Sequence, residues 1–293
     1  MHVFLTGGSG LIGSAVVAEL LDNGHTVLAL ARSDASASSL AAAGAEPIRG
    51  TLADLSVLRA GAARAEGVIN LAFGHDFDNP DALAAAITEE GAVLAALGAE
   101  LVDSDRPLIV VAGTPPVPGR VSTEADPAPT EGLFGGRARS VTSVLELASR
   151  GVRSAVVRMP RTVHNQGKGG FAGLLTEIAR RTGVSGYPGD GAQRWPAVHA
   201  LDAAALFRLA LEKAPAGTVW HAVDEEGVAV VDMAEVIGRR LDLPVKSVPQ
   251  EGFGPLGAIF ATDQPSSSAY TQRTLGWRPE HPRLLEDLEN IQP

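Results

Sequence analysis

Short unbroken apolar runs alternate along this chain with stretches where apolar residues return every three or four positions. Val3-Phe4-Leu5 is too short for a helix and reads as a buried strand. From Leu11 onward, Ile12, Val16, Val17, Leu20 and Leu21 share one helical face, and Asn23-Gly24 supplies the stop. Residues 26–30 form the next strand, so the segment Thr6–Gly13 is a glycine-rich turn inside a β-α-β unit. Runs at 67–73, 107–113 and 154–160 predict further buried strands, and 36–43, 82–102 and 141–150 carry helical periodicity. Strands alternating with helices predict an α/β fold: a Rossmann-type doubly wound parallel sheet with right-handed crossovers. Ligands in such a sheet lie beyond the C-terminal strand ends.

From about residue 161 that rhythm loosens. Helices are predicted at 171–181, 201–212 and 231–244, the last with Asp232 as N-cap and Pro244 as stop. Residues 244–249 read as a short strand, and the chain closes on a short helix, a turn and a last helix.

The glycines of the first turn have separate tasks. Gly7 permits the tight turn, Gly10 lets backbone approach a pyrophosphate, and Gly13 lets helix and strand pack closely. The helix that follows offers free N–H groups and a positive dipole end to phosphates. Thr6, Gly7, Ser9, Gly10, Leu11, Ile12 and Gly13 are therefore the expected dinucleotide contacts. The end of the second strand selects the cofactor. Where NAD binders place an acid, this chain has Ala31, followed by Arg32 and Ser33, which suit a 2′-phosphate. NADP is expected over NAD, with Asp34 the residue that a small shift of register would bring to the ribose.

Composition removes several alternatives. Among 293 residues there is no cysteine, which excludes disulfides, thiolate catalysis and cysteine metal sites. The net charge of −10 and the lack of any basic run argue against nucleic acid. The opening residues turn to glycine too early for a signal peptide, and no apolar run approaches the ~20 residues of a membrane helix. A soluble, cytoplasmic protein is expected. No His-Glu-x-x-His spacing and no Gly-x-Ser-x-Gly elbow occurs, so no metal is expected.

The segment "TGGSGLIG", the pair Asp54-Leu55, "INLA" at 69–72, the strand leading to Thr114, "VVRMPRTVHN" at 156–165 and "RWPAVHALDAAALFRLALE" at 194–212 resemble the short-chain dehydrogenase/reductase superfamily. The likeness is to its extended and atypical branch, alongside NAD-dependent epimerases and dehydratases. It implies a dinucleotide-binding domain over 1–160. Residues 161–293 would form mainly a smaller substrate-binding lobe, with some segments returning to the sheet. It implies that Asp54 bonds the adenine amino group with Leu55 alongside, that Leu71 and Ala72 line the adenosine ribose, and that Thr114 bonds a substrate oxygen. It also implies a small-molecule substrate and a homodimer or higher homo-oligomer.

One part of the resemblance is missing. The superfamily's acid is the Tyr of a Tyr-x-x-x-Lys pair. On the common Tyr-x-x-Ser-Lys form, Ser140 matches the Ser, Arg137 stands at Tyr and Val141 at Lys. The chain's two tyrosines, Tyr187 and Tyr270, have Gly191 and Thr274 four residues on, so no such pair exists at any position. The replacement candidates are Arg137, as an oxyanion or carboxylate grip, His164, after the 154–160 strand, and Tyr187. Lys168, Arg194, Trp195 and His199 are the remaining candidate pocket residues. His221 and Glu225-Glu226 read as structural. Two readings from different classes follow: an NADP-dependent reductase of a small carbonyl compound, and a non-catalytic NADP(H)-binding sensor. Sugar-nucleotide epimerisation is a third, resting on the absent tyrosine.

Overall fold

The computed structural model describes residues 1–74, 79–132 and 134–292. The first half runs β1 (His2–Thr6), α1 (Leu11–Asp22), β2 (Thr26–Ala31), α2 (Asp34–Ala42), β3 (Glu46–Arg49), α3 (Leu55–Arg64) and β4 (Gly67–Asn70). It continues with α4 (Pro80–Ala99), β5 (Pro107–Gly113), α5 (Gly135–Glu146) and β6 (Arg153–Met159). The second half adds β7 (Thr162–His164), α6 (Gly170–Thr182), β8 (Ser185–Pro188), β9 (Arg194–His199), α7 (Ala200–Lys213) and β10 (Thr218–His221). β11 (Glu225–Ala229), α8 (Val230–Leu241), β12 (Val245–Val248), α9 (Gly257–Phe260), α10 (Ala269–Leu275) and α11 (Leu284–Leu288) complete it.

The main sheet has seven parallel strands in the order β10-β6-β5-β4-β1-β2-β3. On one face, Val16, Val17 and Leu20 of α1 and Ala203, Phe207 and Ala210 of α7 pack with Val3, Leu5 and Ile109. On the other, Leu58 of α3, Val93 and Leu97 of α4 and Val144 of α5 pack with Phe4, Val68 and Leu108. Each large apolar side chain so buried contributes roughly 1.5–3 kcal/mol. The strand order reverses between β1 and β4, which opens a crevice at their C-terminal ends. A smaller lobe stands over that crevice, built from a three-stranded sheet β11-β9-β7, the pair β12-β8, and a core around Trp195, Phe260, Met233, Ile237 and Leu284. Between β9 and β11 the chain goes back to the main sheet through α7 and β10, where Thr218–His221 pairs with Ala155–Arg158.

Several expectations need correction. β3 carries no apolar run: Glu-Pro-Ile-Arg is an edge strand, where proline is tolerated and both faces stay partly wet. Asp232 is not the N-cap of α8. The helix begins at Val230, behind Ala229, and Asp232 lies in its first turn, where the helix dipole still favours it. That helix ends at Leu241 with Asp242 left-handed, before Pro244 is reached. α5 starts at Gly135 and ends at Glu146, with a 3-10 turn over Leu147–Arg150. The run at 67–73 is strand only to Asn70. Finally, Asp81–Ala99 within α4 is long and apolar enough to cross a membrane by length and composition. Its alanines hid this from a search for bulky runs. Here it lies against the main sheet's core, with Leu83, Val93, Leu94, Ala96 and Leu97 buried.

Candidate active site

The β1–α1 turn is held by its own backbone: Gly10 N–H donates to Gly7 O at 3.1 Å, and Ser14 N–H to Gly10 O at 2.8 Å. Gly7 has φ +77°, and a Cβ there would stand 2.8 Å from Ala72 N. A Cβ on Gly13 would stand 2.0 Å from Gly7 O. A Cβ on Gly10 would meet only Gly7 O, at 3.5 Å, an ordinary contact. Thr6 is fully buried. Its hydroxyl donates to Asn70 Oδ1 at 2.7 Å and accepts from Ala72 N–H at 3.2 Å, so it positions Leu71-Ala72 from below.

Gly7, Ser9, Gly10, Leu11, Ile12 and Gly13 line a cleft of about 1940 Å³ together with Arg32, Leu71 and Ala72. A drug-sized ligand fills roughly 300–1,000 Å³, so the cleft has room for a dinucleotide and a second molecule. Ser33 lies outside it. Its side chain accepts from Ser36 N–H at 3.1 Å and caps α2. Asp34, in the first turn of α2, pairs with Arg49 at 3.2 Å. Asp54 and Leu55 also lie outside; the residues after β3 that line the cleft are Thr51 and Leu52. The Asp54 carboxylate accepts from Thr51 N–H at 2.7 Å and Thr51 Oγ1 at 2.9 Å, and these bonds hold its pKa below the usual range. It closes the turn before α3.

The cleft continues past the ends of β5 and β6 into a chamber walled by the small lobe. Thr114, Arg137, Val141, Arg158, Met159, Arg161, Lys168, Phe171, Ile259 and Gln264 contribute to its lining. Arg137 is pinned. Its Nε–H donates to both oxygens of Glu90 at 3.1 and 2.9 Å, and Nη2 donates to Val111 O at 3.2 Å. The guanidinium lies 4.1 Å from the centre of the Phe73 ring. Glu90 is 2% exposed, and burial raises its pKa against the opposing pull of Arg137. Val141, at the position matched to lysine, is an apolar wall 7% exposed. Thr114 is tied down by Gln264, whose Nε2 donates to its carbonyl and, at 3.3 Å, to its hydroxyl oxygen.

Five other candidates sit elsewhere. His164 is 1% exposed, with Nδ1 bonded to Asp287 Oδ2 at 3.0 Å. Strand alternation turns Val163 to the cleft and His164 away. Tyr187 packs against the core of the small lobe, and Trp195 lies within it against Phe171 and Phe260. Arg194 lines a separate depression of about 510 Å³ and pairs with Asp263 at 2.9 Å. His199 caps α7, accepting from Leu201 N–H at 3.3 Å, and its ring stacks on His281. Burial first, then His164 and His281, lower its pKa. His199, Asp202 and His281 are close enough to hold a metal ion. Their bonds already have a task, because Asp202 accepts from Glu280 N–H, His281 N–H and His281 Nδ1 and so fixes the 280–281 turn. His221 is buried between Ser267 O and Thr271, and burial pushes its pKa down to about 4.

The chain matches the family model described as "NAD dependent epimerase/dehydratase family" over residues 3–222. It belongs to that family. Within the epimerase/dehydratase family, an uncharacterized protein of Schizosaccharomyces pombe is 43% identical over 294 residues, covering 98% of each chain. A 4-hydroxy-2-methyl-3-oxo-4-farnesyl-3,4-dihydroquinoline-1-oxide ketoreductase of Stigmatella aurantiaca is 29% identical over 238 residues, 76% of this chain and 68% of that one. A solved UDP-glucose 4-epimerase of Thermotoga maritima superposes with a TM-score of 0.78 at 20% identity, covering 99% of this chain and 97% of that one, a likeness of fold. Family members use NAD(P), and the glycine turn fits the group. Gly10 stands at a helix N-terminus, a side chain on Gly7 would collide with the backbone of Leu71-Ala72, and one on Gly13 with the turn's own backbone. No Tyr-x-x-x-Lys pair occurs in the sequence, and Arg137, paired to the buried Glu90, and Val141 line the chamber.

Proposed function

We propose that this family member is an NADP(H)-dependent oxidoreductase that reduces the carbonyl group of a small organic substrate. The observation that carries the reading is that Thr114 and Arg137 line the same continuous cleft as the glycine turn. Arg32, at the far end of that cleft and after Ala31, supports the 2′-phosphate. The ketoreductase name of the Stigmatella relative points the same way.

The bound cofactor would supply hydride to the carbonyl carbon. Everything else falls to the chain. The Thr114 hydroxyl, with Gln264 fixing its oxygen, donates a hydrogen bond to the substrate oxygen. Arg137, whose plane is set by Glu90 and Val111, keeps Nη1 without a hydrogen-bond partner among the described residues and directs charge at the developing alkoxide. Arginine retains its proton near neutrality, so the proton that completes the alcohol comes from water in the open cleft.

One observation favours the sensor reading. The Arg137–Glu90 pair is already satisfied, and no histidine or tyrosine is among the described residues lining the chamber. Sugar-nucleotide epimerisation or dehydration leans on the tyrosine this chain lacks. The separating experiment follows NADPH oxidation at its near-UV absorbance against ketones, aldehydes, quinones and imines, with NADPH binding titrated in parallel. Turnover on any member supports the reductase. Micromolar binding without turnover across the panel transfers the assignment to the sensor.

A further inference from the structure

The small-lobe side of the chamber carries charge that nothing among the described residues neutralises. Arg161 lies between β6 and β7 and lines the cleft. Its Nε–H donates to Gln264 Oε1 and its Nη1 to Ile259 O, while Nη2 has no protein partner among the described residues. The guanidinium lies 5.6 Å from the Phe171 ring centre and 5.8 Å from that of Trp195, a setting that removes water from it. No carboxylate among the described residues stands within ion-pair distance, although the chain has a net charge of −10. Burial, with no acid to oppose it, pushes the Arg161 pKa down to about 10. Lys168 lines the same cleft and also has no ion pair among the described residues.

A buried cation without a counter-ion is costly, because desolvation is not offset by attraction. Arg32, at the glycine-turn end, and Lys168 also lack an ion pair among the described residues, whereas three other cations that reach the cleft have acidic neighbours. Arg137 has Glu90, Arg180 has Glu177, and Arg158 donates to Asp126 O with the Asp126 and Glu124 charges nearby. Arg161 is held by neutral oxygens with no acid near enough to oppose its desolvation. Gln264 connects it to the reaction centre: the amide accepts from Arg161 at Oε1 and donates to Thr114 from Nε2. One side-chain amide therefore separates Arg161 from the hydroxyl assigned to the substrate oxygen.

We propose that the substrate is anionic: a carboxylate or phosphate group docks on Arg161, and the reducible carbonyl lies one amide width away at Thr114. A planar fork suits a carboxylate in two-point contact and equally accepts phosphate oxygens. The docked anion completes the charge balance of the chamber and fixes which face of the carbonyl is presented. This deepens the reductase reading and rests on it for the chemistry, but the binding claim stands apart from turnover.

The test pairs charged and neutral forms of one carbonyl compound: 4-oxopentanoate with its methyl ester, and dihydroxyacetone phosphate with dihydroxyacetone. Binding is measured separately by calorimetric titration of non-reducible pentanoate and of inorganic phosphate into the NADPH-loaded chain. A tenfold or greater preference in kcat/KM for one charged form is expected, with the favoured pair telling carboxylate from phosphate. Arg161→Gln should abolish that preference and the binding heat, and Arg161→Lys should restore part of both. The wild-type comparison needs no variant, so poor folding of Arg161→Gln leaves the test intact. Anion binding that is lost in Arg161→Gln and partly kept in Arg161→Lys, with no probe reduced, sustains the anion site and counts against the reductase. Neutral forms reduced as well as charged ones, or no heat from either anion, overturns the anion site and leaves the reductase reading to its own test.

Discussion

The Arg137–Glu90 pair gives the sharpest physical prediction. Glu90 is 2% exposed and receives two hydrogen bonds from Arg137 Nε–H. Replacing Arg137 with Met keeps most of the packing on Phe73 but strands the carboxylate. Removing one partner of a buried pair costs about 3–5 kcal/mol when the remaining charge must stay ionised. Glu90 has an escape, since it can take up a proton. Burial already raises its pKa, and loss of Arg137 removes the attraction and hydrogen bond that oppose the rise. A carboxyl whose folded pKa lies above its unfolded value adds stability at low pH and loses it as pH rises. The cost of Arg137→Met should therefore be near 1 kcal/mol at pH 5 and grow toward pH 8, by at most about 1.4 kcal/mol per pH unit. Urea unfolding of wild type, Arg137→Met, Glu90→Gln and the double variant at both pH values measures this. A coupling of about 2 kcal/mol or more at pH 8, shrinking at pH 5, is expected. Coupling under about 0.5 kcal/mol, or a cost independent of pH, would refute the assignment of Glu90 as the ionised partner that holds Arg137.

Three further outcomes follow from the same geometry. Arg32→Ala should weaken NADPH by about 10- to 100-fold, the worth of a charge-assisted bond to a phosphate, and leave NADH nearly unchanged; equal losses in the two titrations would remove the 2′-phosphate role. Tyr187→Phe should change turnover less than about twofold, because the ring packs in the small lobe outside the cleft; a large drop in kcat would return it to the chemistry. His221 is held neutral, with its pKa near 4 against 6.5 when unfolded, so it costs stability as pH falls through that window. Thermal melts of wild type and His221→Gln should draw together between pH 7 and pH 4, and parallel curves would contradict the shift.

The main sheet was legible because its strands are unbroken apolar runs and its first helix keeps a clean face from Leu11 to Leu21. The glycine turn was legible for the same reason: each glycine sits where strand ends and helix begins. β3 escaped because an edge strand with a proline carries no apolar signature. With the strand ending at Arg49, Thr51 and Leu52 reach the cleft and Asp54 closes the turn. His164 was misplaced by strand parity, one residue from Val163, which does reach the cleft. Gln264 and the partnerless state of Arg161 had no local signal at all. They arise from contacts 103 and 150 positions apart in the chain, which only the folded lobe brings together.

Transfer of hydride is the central claim, and isotope labelling reads it most directly. NADPH deuterated at the reactive nicotinamide carbon is incubated with the chain and the carbonyl panel, and products are analysed by mass spectrometry. One deuterium on the new carbinol carbon, absent without protein, is the expected result. Saturable NADPH binding with no labelled alcohol from any substrate, charged or neutral, would contradict the account and leave a binding protein in the fold of an enzyme.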